Sequence, residues 1–239
     1  MKSVLLVLII CASWSINSQN ITSKQVLENA IAYHDPNSTW ATFNSKFTVE
    51  MTTPTSVKRT SIIAINLPEE YFEVTATKDT VSTTYKLTKQ TCEMRYNGKL
   101  LDSVAAKNKK MSCDRALLYK NYYTYLYGLP MKLNDPGTNL SDIVEKKTFK
   151  GKDYLVLKVT YDEAVGSDVW YFYFNPETYA MEVYQFFKTD DEGNVKPDSG
   201  EYILLSDETI VNDIKMPKVR AWYYNKADKY LGTDTLVEK

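Results

Sequence analysis

The sequence predicts an α+β chain in which antiparallel β-structure dominates. Three observations lead there. Short apolar–polar alternations bounded by turn residues recur along most of the chain. Only two mature stretches carry the 3.6-residue apolar period of a helix. Tyrosine supplies 19 of 239 residues, and sheet packing accounts for most of an excess of a strand-favouring residue.

The chain opens with Lys2, an unbroken apolar run from Val4 to Ala12, and then small and polar residues from Ser13 to Gln19. That three-part layout predicts a secretory signal peptide over residues 1–18. The apolar run is about half of the roughly 20 residues a membrane-spanning helix needs. Cys11 offers an alternative ending, a lipid anchor. However, Ile10 stands where a lipoprotein signal wants a small residue, so the free exported form is preferred. The expected location is the periplasm or the extracellular space, and residues 19–239 are expected to form one domain.

The elements follow in order. Thr22 and Gln25 have capping-box spacing, Val26, Leu27, Ala30 and Ile31 share a helical face, and Asp35-Pro36 stops the helix. Strand patterns run through Phe43, Phe47, Val49 and Met51, then over 61–67, 71–77, 83–87 and 92–96. Asn97-Gly98 predicts a tight hairpin with a return arm over 99–104. Ser112 and Asp114 open a second helix whose stripe is Ala116, Tyr119, Tyr122, Tyr123 and Leu126, closed by Gly128 and Pro130. A loop over 135–139 leads to strands over 141–149 and 154–161. A hairpin of 169–174 and 181–187 turns at Asn175-Pro176-Glu177-Thr178. Strands over 200–206, 209–212 and 218–225 and a short C-terminal strand complete the pattern.

The hairpin bears on function. Val169, Tyr171 and Tyr173 point one way, and Trp170, Phe172 and Phe174 the other, so neither face is polar. A half-exposed antiparallel strand keeps one polar face, so something covers both. Either a curved sheet wraps a helical plug around an apolar interior, or two layers make a filled core.

Signatures of chemistry are sparse. There is no nucleophile elbow, no P-loop and no glycine-rich dinucleotide fingerprint, and the chain has eight glycines. A triad would have to use the one histidine, His34, with Asp35; a His at a helix C-terminus more simply bonds backbone carbonyls. Two mature cysteines, Cys92 and Cys113, read as a candidate disulfide or as two buried thiols. Two cysteines and one histidine make no zinc set, and no metal or cofactor is expected. Net charge is −1 with mixed signs, unlike a nucleic-acid surface.

Four stretches carry a resemblance: YHDPNSTW from Tyr33, NYYTYLYGLPMKL from Asn121, VWYFYFNPETYAMEVYQFF from Val169, and DIKMPKVRAWYYNKADKYLGTDTL from Asp213. Together they resemble an uncharacterised family of exported Bacteroidota proteins. The order helix, strands, helix, strands is similar to the lipoprotein carriers LolA and LolB. That resemblance implies a strongly curved sheet, an incomplete barrel, covered by two helices around an apolar cavity. It implies a non-enzymatic carrier of an apolar ligand, a lipid or acyl chain, with a transient outer-membrane or lipoprotein partner. The expected lining is Trp170, Phe172, Tyr184, Phe186 and Trp222, with Tyr119, Tyr122, Tyr123 and Leu126 as lid. The alternative is a surface or glycan-binding module whose aromatics are exposed as platforms.

Overall fold

The computed structural model describes residues 21–237. The signal peptide expected over 1–18 and the alternative anchor at Cys11 lie outside the described residues.

Helix α1 (Ser23–His34) begins on the predicted capping box. The Gln25 N–H donates to Thr22 Oγ1 at 3.2 Å, and the Thr22 N–H donates to Gln25 Oε1 at 2.9 Å. An antiparallel meander follows: β1 (Asn44–Thr53), β2 (Ser56–Asn66), β3 (Tyr71–Lys78), β4 (Val81–Leu87), β5 (Cys92–Tyr96) and β6 (Lys99–Leu100). Asn97 and Gly98 turn the last hairpin at φ of 47° and 78°, the double left-handed geometry that favours this pair. The return arm expected over 99–104 is cut to two residues. Asp102 instead accepts from the Ala105 N–H at 2.8 Å and starts a helix, α2 (Ser103–Asn108). The described residues thus hold three α-helices rather than two, the third being α3 (Cys113–Tyr127), capped by Ser112 as the sequence predicts.

A second meander returns: β7 (Thr138–Phe149), β8 (Lys152–Tyr161), β9 (Val169–Phe174), β10 (Met181–Phe187), β11 (Glu201–Val211), β12 (Ile214–Tyr224) and β13 (Tyr230–Val237). The two strands expected over 200–206 and 209–212 are one. Asp207 sits at a left-handed φ of 52°, yet pairing resumes in the same register beyond it, from Ser206↔Val219 to Glu208↔Pro217. Strand β12 starts four residues earlier than expected and contains Pro217. Proline survives there because β13 pairs with β12 only from Val219 onward, so that flank of the strand has no ladder to break.

All thirteen strands form one sheet, ordered β6-β5-β4-β3-β2-β1-β13-β12-β11-β10-β9-β8-β7. The two meanders meet at β1 and β13, so the sheet edges, β6 and β7, are neighbours in sequence. The chain between them must cross the sheet's whole width, which is about 58 Å if flat at about 4.8 Å per strand step. Helix α3 is about 22 Å long at 1.5 Å per residue. Crossing is achieved because the sheet curls. Phe72 and Tyr85 of one wing and Phe172, Tyr184 and Ile203 of the other belong to one buried core, with Ala116, Tyr123, Leu126 and Tyr127 of α3 between them. The sheet stays open, and α3 lies in its concavity. Of the two arrangements the hairpin pattern allows, this is the curved one.

The convex face of the second wing carries its own cluster: Tyr154, Val156, Tyr173 and Val183, with Phe149, Tyr171 and Leu204 against it. The lack of a polar face in the β9–β10 hairpin is thereby explained. Phe149 lies 5.2 Å from the Tyr173 ring, and the Lys147 ammonium lies 5.7 Å from the same ring.

Candidate functional site

Helix α3 divides the concavity, and open space flanks it. Its end is set by a close approach: a Cβ on Gly128 would stand 2.2 Å from Trp40 Cζ2 and 2.6 Å from the Thr124 carbonyl oxygen. Its start is fixed covalently, because Cys113 is disulfide-bonded to Cys92 on β5 across 21 residues of chain.

The larger space is a cleft of about 860 Å³ between α3, the ends of β8 and β9, and the loop over 162–168. Tyr125, Tyr161 and Trp170 form its aromatic wall, and Lys120, Lys132, Asp135 and Asp168 contribute polar groups. Lys132 pairs with Asp135, and the Tyr125 and Tyr161 hydroxyls hydrogen-bond to each other. Burial pushes the Tyr161 phenol up to about 12, against a smaller opposing effect of Tyr125. Burial also lifts the Asp168 carboxyl above its ordinary range, with Lys188 pulling it back. Trp170 stacks on Phe186 at 4.8 Å and meets Tyr125 edge-on at 5.8 Å. This wall therefore rests on aromatic packing rather than on a mobile loop.

The nine expected site residues all fall on the concave side, in four settings. Trp170 lines the large cleft, with half-buried Phe186 beneath it. Tyr119 and Tyr123 line a smaller groove of about 210 Å³ on the opposite flank of α3. Phe172, Tyr184 and Leu126 are sealed inside the core, the first two with no exposure at all. Tyr122 and Trp222 stack loosely at 6.5 Å over the middle of the concavity.

Several residues of this region escaped the sequence reading. Tyr125 and Tyr161 belong to no predicted stripe, because cleft walls are assembled from positions far apart in the chain. Arg220 and Asp234 are only 2% and 7% exposed on the concave face. A signal for them existed: Arg220 is in phase with Trp222, and Asp234 with Leu236, on otherwise apolar faces. Burial raises the Asp234 carboxyl above its ordinary range, and Arg220 and Arg59 offset this only in part.

His34 and Asp35 are structural. The His34 ring is 1% exposed. Its Nε2 accepts from the Met181 N–H at 2.9 Å, which leaves Nδ1–H to donate to the Lys215 carbonyl at 2.8 Å. It ties α1 to β10 and β12 rather than to the carbonyls of its own helix. The Asp35 carboxylate accepts from the N–H groups of Thr39 at 2.7 Å and Trp40 at 2.9 Å. No His/Cys/Asp/Glu cluster suited to a metal occurs among the described residues.

One family model, described as a family of unknown function (DUF6503), matches residues 2–239. The chain belongs to that family. No curated protein matches it. Among solved structures it is similar to a LolA superfamily protein from Nitrosomonas europaea, at 10% identity and a TM-score of 0.49 over 92% of this chain and 93% of that one. It is also similar to a DUF1329 family protein from Desulfovibrio piger, at 7% identity and a TM-score of 0.46 over 90% and 91% of the two chains. A third similarity is to MucB in complex with MucA(peri), at 8% identity and a TM-score of 0.24 over 89% and 92%. No helix among the described residues is long and apolar enough to cross a membrane.

Proposed function

We propose that this protein is an extracytoplasmic, non-enzymatic binding or carrier protein for an apolar ligand, a lipid or acyl chain, held in the cleft beside α3. The cleft carries the reading. Its volume of about 860 Å³ and its Tyr125–Tyr161–Trp170 wall suit a ligand held against aromatic rings, with Lys120, Lys132, Asp135 and Asp168 to orient it. The commitment of His34 and Asp35 to backbone hydrogen bonds supports a role in binding rather than catalysis. Export rests on the apolar run from Val4 to Ala12 and on the Cys92–Cys113 disulfide, a bond that persists in oxidising compartments. A lipoprotein or outer-membrane partner would deliver or receive the ligand.

The test is native mass spectrometry of protein recovered gently from its own cell envelope, followed by organic extraction. A bound mass of a few hundred daltons that leaves on extraction is expected. Trp170→Ala should weaken uptake of added fatty acid by about tenfold. A clean apo mass with no uptake of fatty acid or phospholipid would sink the reading.

One observation favours a second reading, surface recognition of glycans. On the convex face, half-buried Tyr223 and exposed Tyr230 lie 5.4 Å apart, with buried Tyr202 stacked on Tyr223 at 5.0 Å. Loss of oligosaccharide binding in Tyr223→Ala, with Trp170→Ala unaffected, would favour it over the cleft.

A further inference from the structure

The concave face carries a row of charge that the aromatic cleft does not use. Strand register builds it. Arg220 pairs with Asp234, Asp234 with Met51, Met51 with Arg59, and Arg59 with Lys78, across five adjacent strands from β12 to β3. Directly opposed residues share a face, so these side chains all stand on the α3 side of the sheet. Helix α3 lies over the row, with the Arg220 guanidinium carbon 4.0 Å from the Tyr127 ring centroid. Asp234 is the one acid in the row, and Arg220 and Arg59 are the cations that act on it.

The neighbourhood is short of hydrogen-bond partners. Trp222 serves Asp234 and Arg220 serves Tyr184, but Arg59 Nε and the Tyr127 hydroxyl are buried without a partner. Native interiors rarely leave such atoms unmatched, and Arg59, which lines the groove below, is the one of them that a ligand from solvent can approach. The row reaches solvent at its Arg59 end, through the groove of about 210 Å³ between α3 and β2–β4. There Arg59 and exposed Lys78 stand beside Val74, Tyr85, Tyr119 and Tyr123. Neither cation forms an ion pair among the described residues.

We propose that this groove binds the oxyanion headgroup of an amphiphile, a phosphate or carboxylate held by Arg59 and Lys78. The first carbons of the chain lie against Val74, Tyr85 and Tyr119. A guanidinium fork matches the oxygens of either headgroup, and the low-dielectric groove strengthens the contact. The site is on the opposite flank of α3 from the Trp170 cleft and stands or falls without it.

Isothermal titration of the full mature chain tests the site, with dodecyl phosphate, 1-dodecanol and inorganic phosphate as probes. Dodecyl phosphate is expected to bind. Lys78→Met and Arg59→Met should each weaken it by about tenfold or more. Lys78 is exposed, so its variant folds, and thermal melts control for Arg59→Met. Failure of dodecyl phosphate to bind, equal affinity for 1-dodecanol, or unchanged affinity in Lys78→Met would overturn the site. Inorganic phosphate binding as tightly as dodecyl phosphate would overturn its assignment to an amphiphile.

Discussion

The two wings of the sheet are built from the same element, an antiparallel meander, and differ in what they bury. In the β2–β5 wing the concave side carries Ile63, Phe72, Val74 and Tyr85, while the convex side carries Glu73, Thr75, Thr84 and Lys86 at half-exposed positions. In the β8–β10 wing Leu157 and Phe172 face the core, and Val156, Tyr173 and Val183 on the opposite face are just as buried. The first wing behaves as a one-sided sheet and the second as a sheet between two cores. The two-sided wing is the one that presents Trp170 to the large cleft. The one-sided wing holds the charged groove.

Mutations can break this comparison. The largest effect is expected at Phe172→Ala, which empties a site sealed beneath α3 and should cost about 3–5 kcal/mol in urea unfolding. Reducing Cys92–Cys113, or replacing both with serine, should cost about 3 kcal/mol, because the bond closes a loop spanning 21 residues and anchors the start of α3. The decisive pair lies on the convex faces. Val156→Ala in the two-sided wing should cost about 2 kcal/mol. Thr75→Ala in the one-sided wing, which loses only its 2.9 Å bond to Thr84, should stay under about 1 kcal/mol. Equal costs would erase the distinction between the wings.

The smallest effect is a pH slope at His34, where α1 is pinned to β10 and β12. Burial is the largest influence on this imidazole and lowers its pKa, against an opposing contribution from the bond to Lys215. The unfolded chain therefore takes up a proton below about 6.5 that the folded chain refuses. Stability should be complete above that pH and fall as pH drops from it toward the folded pKa. His34→Gln, which offers one donor and one acceptor without titrating, should flatten the slope between pH 7 and pH 5. A slope unchanged in that variant would assign the acid sensitivity elsewhere.

Much of the fold was legible because its signals are local. The Thr22–Gln25 capping box, the Asn97-Gly98 turn and the Ser112 cap each act within a few residues, and each marks an element boundary in the structure. The doubly apolar 169–174 segment also announced that two faces are covered. Misreadings arose where a local pattern had two solutions. The short stretch after Leu100 suits a strand arm as well as a helix, and only the Asp102 cap decided for α2. The strand expected from Lys218 begins at Ile214 and takes in Pro217, because its neighbour β13 leaves that flank free.

The candidate site divides the same way. Periodicity sorted Trp170 and Phe172 onto one face, and the carrier resemblance added Tyr184, but neither could say which of them meets open space. Phe172 and Tyr184 are sealed under α3, while Trp170 meets it only at the edge of Tyr125 and stays half-buried, and that outcome depends on where a helix from the middle of the chain comes to rest. The charged row is the extreme case. Arg59, Arg220 and Asp234 lie far apart in sequence and meet only because β1 and β13 zip the two meanders together in one register. Alternation, caps and turns are properties of a few consecutive residues, so the chain alone determines them. Cleft, groove and buried charge are properties of the curl, and the curl exists only once both wings close around α3.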